Sequence, residues 1–81
     1  MKQKLLAPRI VIDPAVRFGK PIIEGTRITV EEVLGWLASG MNYSELETEY
    51  QISKEDIQAV ITYAASFMKG EEVRSAPASK E

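Results

Sequence analysis

A change of hydrophobic period at Thr29 constrains this chain more than any other feature. Before it, Pro21 fixes φ and lacks an N–H, so the chain enters extended. Ile22 and Ile23 follow as a short β-favouring pair, and Gly25 can turn at positive φ. Thr26, Arg27 and Ile28 then run extended. From Thr29 onward the period is helical, with apolar residues at Val30, Val33, Leu34 and Leu37. Thr29 and Glu32 have the spacing of a capping box, in which each side chain satisfies an otherwise orphaned amide. Gly40 is placed to stop the helix in a left-handed conformation. The stretch reads as strand, turn, strand, capped helix.

The flanking segments are read by the same rules. Residues 1–8 are short, basic and aperiodic, which predicts a flexible N-terminus. Arg9 to Asp13 is a β-branched run closed by Asp13-Pro14, a turn signal, and Phe18 is expected to pack beneath the following loop. Asn42 caps a second helix over about 43–50, with Glu45 at its third position and a narrow apolar face of Tyr43, Leu46 and Tyr50. Ser53 and Asp56 open a third helix carrying the strongest core-facing stripe: Ile57, Val60, Ile61, Ala64, Phe67 and Met68. Of these, Ile57, Val60 and Ile61 are expected to be buried. Residues 70–81 contain one large apolar side chain, Val73, and are predicted to be a disordered tail. The ordered domain is expected over residues 9–69.

Chemistry is bounded by what is missing. The 81 residues include no cysteine and no histidine. Disulfides, thiolate metal sites and the commonest general base are therefore absent, and neither a metal nor a cofactor is expected. Adjacent Glu31 and Glu32 do not face one another on a helix, and Glu45, Glu47 and Glu49 read as solvated surface. Thr26-Arg27 is not surrounded by a phosphate-cradling glycine loop. No enzymatic activity is expected. No apolar run is long enough to span a membrane and no signal peptide is recognisable, so the expected location is cytoplasmic. The net charge of −2 conceals two opposed halves. Residues 1–27 hold six cations against two acids, a net of +4, and residues 28–56 hold one cation against seven acids, a net of −6.

The block Gly19-Lys20-Pro21-x-Ile23-x-Gly25-Thr26-Arg27-Ile28, followed a dozen residues later by Gly40-Met41, resembles a widespread prokaryotic family of small proteins catalogued as a domain of unknown function. That family is generally read as VapB-like antitoxins, often encoded beside PIN-type nuclease toxins. The resemblance covers roughly residues 9–66. It implies a mostly α, homeodomain-like three-helix bundle with a helix-turn-helix, preceded by a short β element. It also implies neutralisation of a PIN-type ribonuclease and repression through operator DNA. The chain departs from the family's usual pattern at Asn42-Tyr43, where Ser-Pro is common, and at Gln51-Ile52-Ser53, a shorter connection than usual.

Within that frame the candidate contacts can be named. Arg9, Arg17, Lys20 and Arg27 form the better electrostatic footprint for phosphate, and a dimer would double them. Lys54 and Gln58 would read bases if the third helix enters a groove, although Glu55 and Asp56 in its first turn oppose phosphate. Arg27 could instead pin the strand to the helices through carbonyls or a carboxylate. Trp36 lies away from Val33 and Leu37, so it either meets a partner or closes the core. Phe67 and Met68 are either the last turn of the core or the first anchor of a partner-binding segment. Arg74 on the tail could pair bidentately with a nuclease's carboxylates. Unpaired edges on the strands around Arg9–Asp13 and Pro21–Ile28 predict a homodimer joined through them. The alternatives are a stand-alone DNA-binding regulator and a purely structural dimerisation module.

Overall fold

Each helix begins at a reciprocal capping box, and these boxes set the frame of the domain. The computed structural model describes residues 3–68. Helix α1 (Val30–Ala38) starts at the Thr29/Glu32 box, α2 (Tyr43–Tyr50) at Asn42/Glu45, and α3 (Lys54–Ser66) at Ser53/Asp56. In each box the cap side chain accepts from the third backbone amide, and the third carboxylate accepts from the cap amide. Helix α1 ends as anticipated. Met41 N–H donates to the Trp36 carbonyl and Gly40 N–H to that of Leu37, with Gly40 at φ 106°. This is a Schellman stop, in which a left-handed residue lets the last carbonyls be satisfied. Helix α2 stops at Gln51, itself left-handed at φ 59°.

Ahead of the helices lies a three-stranded antiparallel sheet in the order β1 (Lys4–Ala7), β2 (Ile10–Ile12), β3 (Ile22–Ile23). The register sets Leu5 beside Val11 and Val11 beside Ile22. It also sets Ala7 beside Ile10 and Ile10 beside Ile23, with an irregularity between Leu5 and Ala7. Residues 4–7 therefore pair as a strand, within the segment read from sequence as a flexible terminus. After β3, Thr26 N–H donates to the Ile23 carbonyl across a turn with Gly25 at φ 83°. The Thr26 hydroxyl donates to the same carbonyl and accepts from Ile28 N–H. The second extended run shrinks to a single bridge, Ile22 to Thr29.

The expected homeodomain-like three-helix bundle is not what forms. The structure is a small α+β domain, and its sheet closes one side of a shared core rather than preceding it. Ile10 and Ile23 from the sheet are buried with Val33, Leu46, Ile52, Ile57 and Val60 from the helical half. The reason lies in helix length. With 9, 8 and 13 residues, α1 and α3 each bury two side chains fully and α2 buries only Leu46. That is too little apolar surface for three helices to cover one another, so the sheet closes the remaining face. Every buried side-chain polar atom among the described residues has a hydrogen-bond partner. No described helix is long and apolar enough to cross a membrane.

On α3 the stripe is narrower than its sequence suggests. Ile57 and Val60 are fully buried, whereas Ile61 is half-buried and Phe67 and Met68 are exposed. Truncating Ile57 to Ala should cost about 2–5 kcal/mol, and truncating Ile61 to Ala should cost clearly less. Urea denaturation midpoints of the two variants check this; equal losses would mean that Ile61 belongs to the core.

Candidate functional site: the loop clamped by Arg17 and Glu32

The motif block of the sequence folds into one loop, and its organising residue lies just before it. Arg17, Phe18 and Gly19 form a short 3-10-like turn in which all three residues are left-handed, at φ 50°, 60° and 77°. Only glycine adopts this region freely; each non-glycine residue there costs about 1–3 kcal/mol. The turn closes on itself, with Gly19 N–H donating to the Val16 carbonyl and Lys20 N–H to that of Arg17.

The Arg17 side chain holds the turn in place. Its guanidinium donates to both oxygens of Glu32, each at 3.0 Å, and to the Arg27 carbonyl at 2.8 Å. Glu32 is also the box carboxylate of α1, accepting from Thr29 N–H at 3.0 Å. One carboxylate thus joins the helix start, the 17–19 turn and the end of the motif block. The Arg17 guanidinium, followed by the Thr29 amide, holds the Glu32 carboxyl below the usual carboxylate range. Arg17 is raised in turn, chiefly by its hydrogen bond to Glu32. The pinning role considered for the Arg27 side chain belongs to Arg17; Arg27 contributes its carbonyl, and its side chain is exposed.

The consequence is at Phe18. Expected beneath the loop, it is instead 95% exposed. Lys20 stands two residues on, in a solvent-facing pair with Glu31 at 3.2 Å. The loop therefore presents an aromatic ring and two cations, Lys20 and Arg27, from a base held by a two-pronged ion pair. Sequence reasoning missed Phe18 because a lone Phe two residues after Val16, between Arg17 and Gly19, reads as core. The run of left-handed residues was not visible in it.

The remaining candidates fall elsewhere. Arg9, also left-handed at φ 69°, donates to Asp56 Oδ1 at 2.8 Å, tying the β1–β2 turn to the α3 box. Desolvation raises the Asp56 carboxyl, but the Ser53 amide and the Arg9 guanidinium outweigh it and leave the group lowered. Trp36 stacks on Tyr50 with ring centroids 3.7 Å apart, so one of its faces bridges α1 and α2. Lys54 and Gln58 are exposed on α3, and Gln58 accepts weakly from the Tyr43 hydroxyl at 3.4 Å. Phe67 packs edge-on against Tyr63. Arg74 and the 70–81 tail lie outside the described residues. No cluster of metal-ligating side chains occurs among the described residues.

Comparison with known proteins follows the same outline. A family model described as "Protein of unknown function (DUF433)" matches residues 10–64, the span from β2 to near the end of α3. A similar solved structure is the X-ray crystal structure of Rv2018 from Mycobacterium tuberculosis, 25% identical with a TM-score of 0.59. The likeness covers 64% of this chain and 24% of that one, so this chain spans about a quarter of that protein's length. No curated protein matches the chain.

The clamp gives a pH prediction. Because the folded-state pKa of Glu32 is depressed, its contribution is fully present above the unfolded value, about 4.3. It is lost as pH falls through the lower folded value. Thermal unfolding of Glu32→Gln should therefore show a smaller loss of stability between neutral and strongly acidic pH than the parent. Identical pH profiles would remove Glu32 from the acid response.

Proposed function

The chain belongs to the DUF433 family of proteins of unknown function, and from that footing we propose that it is a VapB-like antitoxin of a type II toxin–antitoxin pair. In this reading it neutralises a PIN-type ribonuclease by non-covalent occlusion and binds operator DNA as a homodimer. One observation carries the reading: the most distinctive block of the sequence builds a fixed loop whose only extruded apolar group is Phe18, beside Lys20 and Arg27. Aromatic and arginine side chains dominate binding energy at many protein interfaces, the aromatics because they bury much area while losing little entropy. The charge of Arg27, which is in no ion pair among the described residues, suits an acidic nuclease surface. Arg74 retains the role assigned from sequence, a guanidinium able to pair bidentately with metal-binding carboxylates and so compete with the metal.

The test is inhibition of the cognate PIN-type nuclease that this reading requires. Phe18→Gly should not lower stability, since glycine removes the left-handed strain, yet it should weaken inhibition by about tenfold or more. Truncation after Gly70 should leave the protein folded and dimeric but abolish inhibition, and Arg74→Ala should reproduce part of that loss. Full inhibition by the truncated chain would move the contact onto the folded domain. No inhibition by the intact chain would overturn the reading.

Exposure of Lys54 and Gln58 on α3 favours a second reading, a DNA-binding regulator without a toxin. Lys20→Ala and Arg27→Ala should then weaken binding to every duplex and flatten its salt dependence, while Gln58→Ala should change base preference at one position. Arg17 is excluded from this test because its guanidinium holds the loop. A purely structural dimerisation module would bind neither duplex nor nuclease.

A further inference from the structure

The sheet has one closed edge and one open edge. Beyond β3, Ile23 N–H donates to the Ile28 carbonyl and Val30 N–H to that of Pro21, so residues 28–30 cover that side. The strands expected to join two copies, Arg9–Asp13 and Pro21–Ile28, are therefore already paired. At the other side, β1 pairs with β2 alone among the described residues. An open strand edge is a row of unpaired amides and carbonyls, a template for another strand.

Both flanks of that edge are apolar. On one face, Leu5 continues the row of Val11 and Ile22; the latter two are buried, whereas Leu5 is 64% exposed. On the other, a groove of about 800 Å³ separates β1 from α3, lined by Leu6, Ala7, Ala59, Thr62, Tyr63 and Phe67 among others. Phe67 is also 64% exposed. A strand beside a helix-walled groove takes an extended segment, whose backbone pairs with the edge and whose side chains fill the groove. The rim adds a charge requirement. Asp56 is engaged by Arg9, but Glu55 lines the groove with no ion pair among the described residues.

We infer that this edge and groove are filled by β1 of a second copy of the chain. The segment Lys4-Leu5-Leu6-Ala7 has what the site asks of an occupant: extended backbone, a leucine on either face, and a cation. A two-fold normal to the sheet preserves faces, so antiparallel self-pairing must set one residue opposite its own copy. With Leu5 or Leu6 there, Lys4 lies opposite Leu6 or Pro8 of the other chain, both of which line the groove that holds Glu55. The arrangement uses up the one sheet edge left open among the described residues of each copy, so it closes as a dimer and does not propagate. It supplies the dimer of the proposed function but depends on neither nuclease nor DNA.

The chain has no cysteine, which makes the test direct. Under mild oxidation of the full-length protein, Leu5→Cys or Leu6→Cys should form a disulfide-linked dimer, and Glu47→Cys on α2 should not. In sedimentation equilibrium the parent should dimerise at micromolar concentration, Leu6→Glu should raise the dissociation constant by about tenfold or more, and Phe18→Gly should leave it unchanged. Circular dichroism separates a weakened dimer from an unfolded chain; if Leu6→Glu unfolds, the crosslinking arms decide. A monomeric parent, or a dimer that neither cysteine links, overturns the proposal. Failure of nuclease inhibition with these results intact would count against the antitoxin reading alone.

Discussion

The fold depends on an arrangement used twice: an arginine in a left-handed backbone conformation reaching the capping-box carboxylate of a helix. Arg17 takes Glu32 at the start of α1, and Arg9 takes Asp56 at the start of α3. Each carboxylate already accepts from its cap amide, so the arginine adds a third element to a junction that would hold two. Exposed ion pairs contribute only about 0–1 kcal/mol. Their importance here is geometric. Residues 13–21 and the Pro8–Arg9 turn carry little regular structure, and each clamp fixes where such a loop meets the helical half.

That geometry explains how the strain at 17–19 persists. Three successive left-handed residues, two with side chains, are unfavourable unless the surroundings over-determine them. The bidentate pair, the bond to the Arg27 carbonyl and the turn's own two hydrogen bonds supply that constraint. The result is an exposed phenylalanine held in one place. Core packing does not require it, since the core is complete without Phe18. A costly conformation that buries nothing is better understood as presentation than as folding.

What could be read from the sequence was local. The caps of all three helices and the glycine stop after α1 follow from residues within five positions of one another, and they formed where expected. The helix starts followed with them, whereas α3 stops at Ser66, short of Phe67 and Met68. What could not be read depended on distant partners. β1 has only four residues and no sharp alternation, so nothing marks it as a strand until β2 lies beside it. Ion-pair roles were invisible for the same reason: Arg17 and Arg27 look alike in sequence, and only the left-handed turn decides which guanidinium reaches Glu32. The bundle expectation failed because periodicity shows which helix face is apolar, not how much area it covers. The candidate site was half legible: its block stood out, but its exposed ring did not.

The opposed charges of the two halves take on a different meaning in the structure. From sequence, the +4 segment looked like a footprint for a polyanion. Yet Arg9, Arg17 and Lys20 each pair with a carboxylate of the acidic segment: Asp56, Glu32 and Glu31. The asymmetry is largely a means of joining the sheet half to the helical half. Lys4 and Arg27 are the basic-segment cations without an ion pair among the described residues. Duplex affinity scales with the number of phosphates neutralised, and so few free cations per chain support only modest, salt-sensitive binding. A protein partner makes no such demand. It can use one fixed aromatic and the unpaired charge of Arg27, which is what the proposed occlusion of a nuclease asks of the loop, whereas the proposed operator binding would have to draw its cations from two copies of the chain.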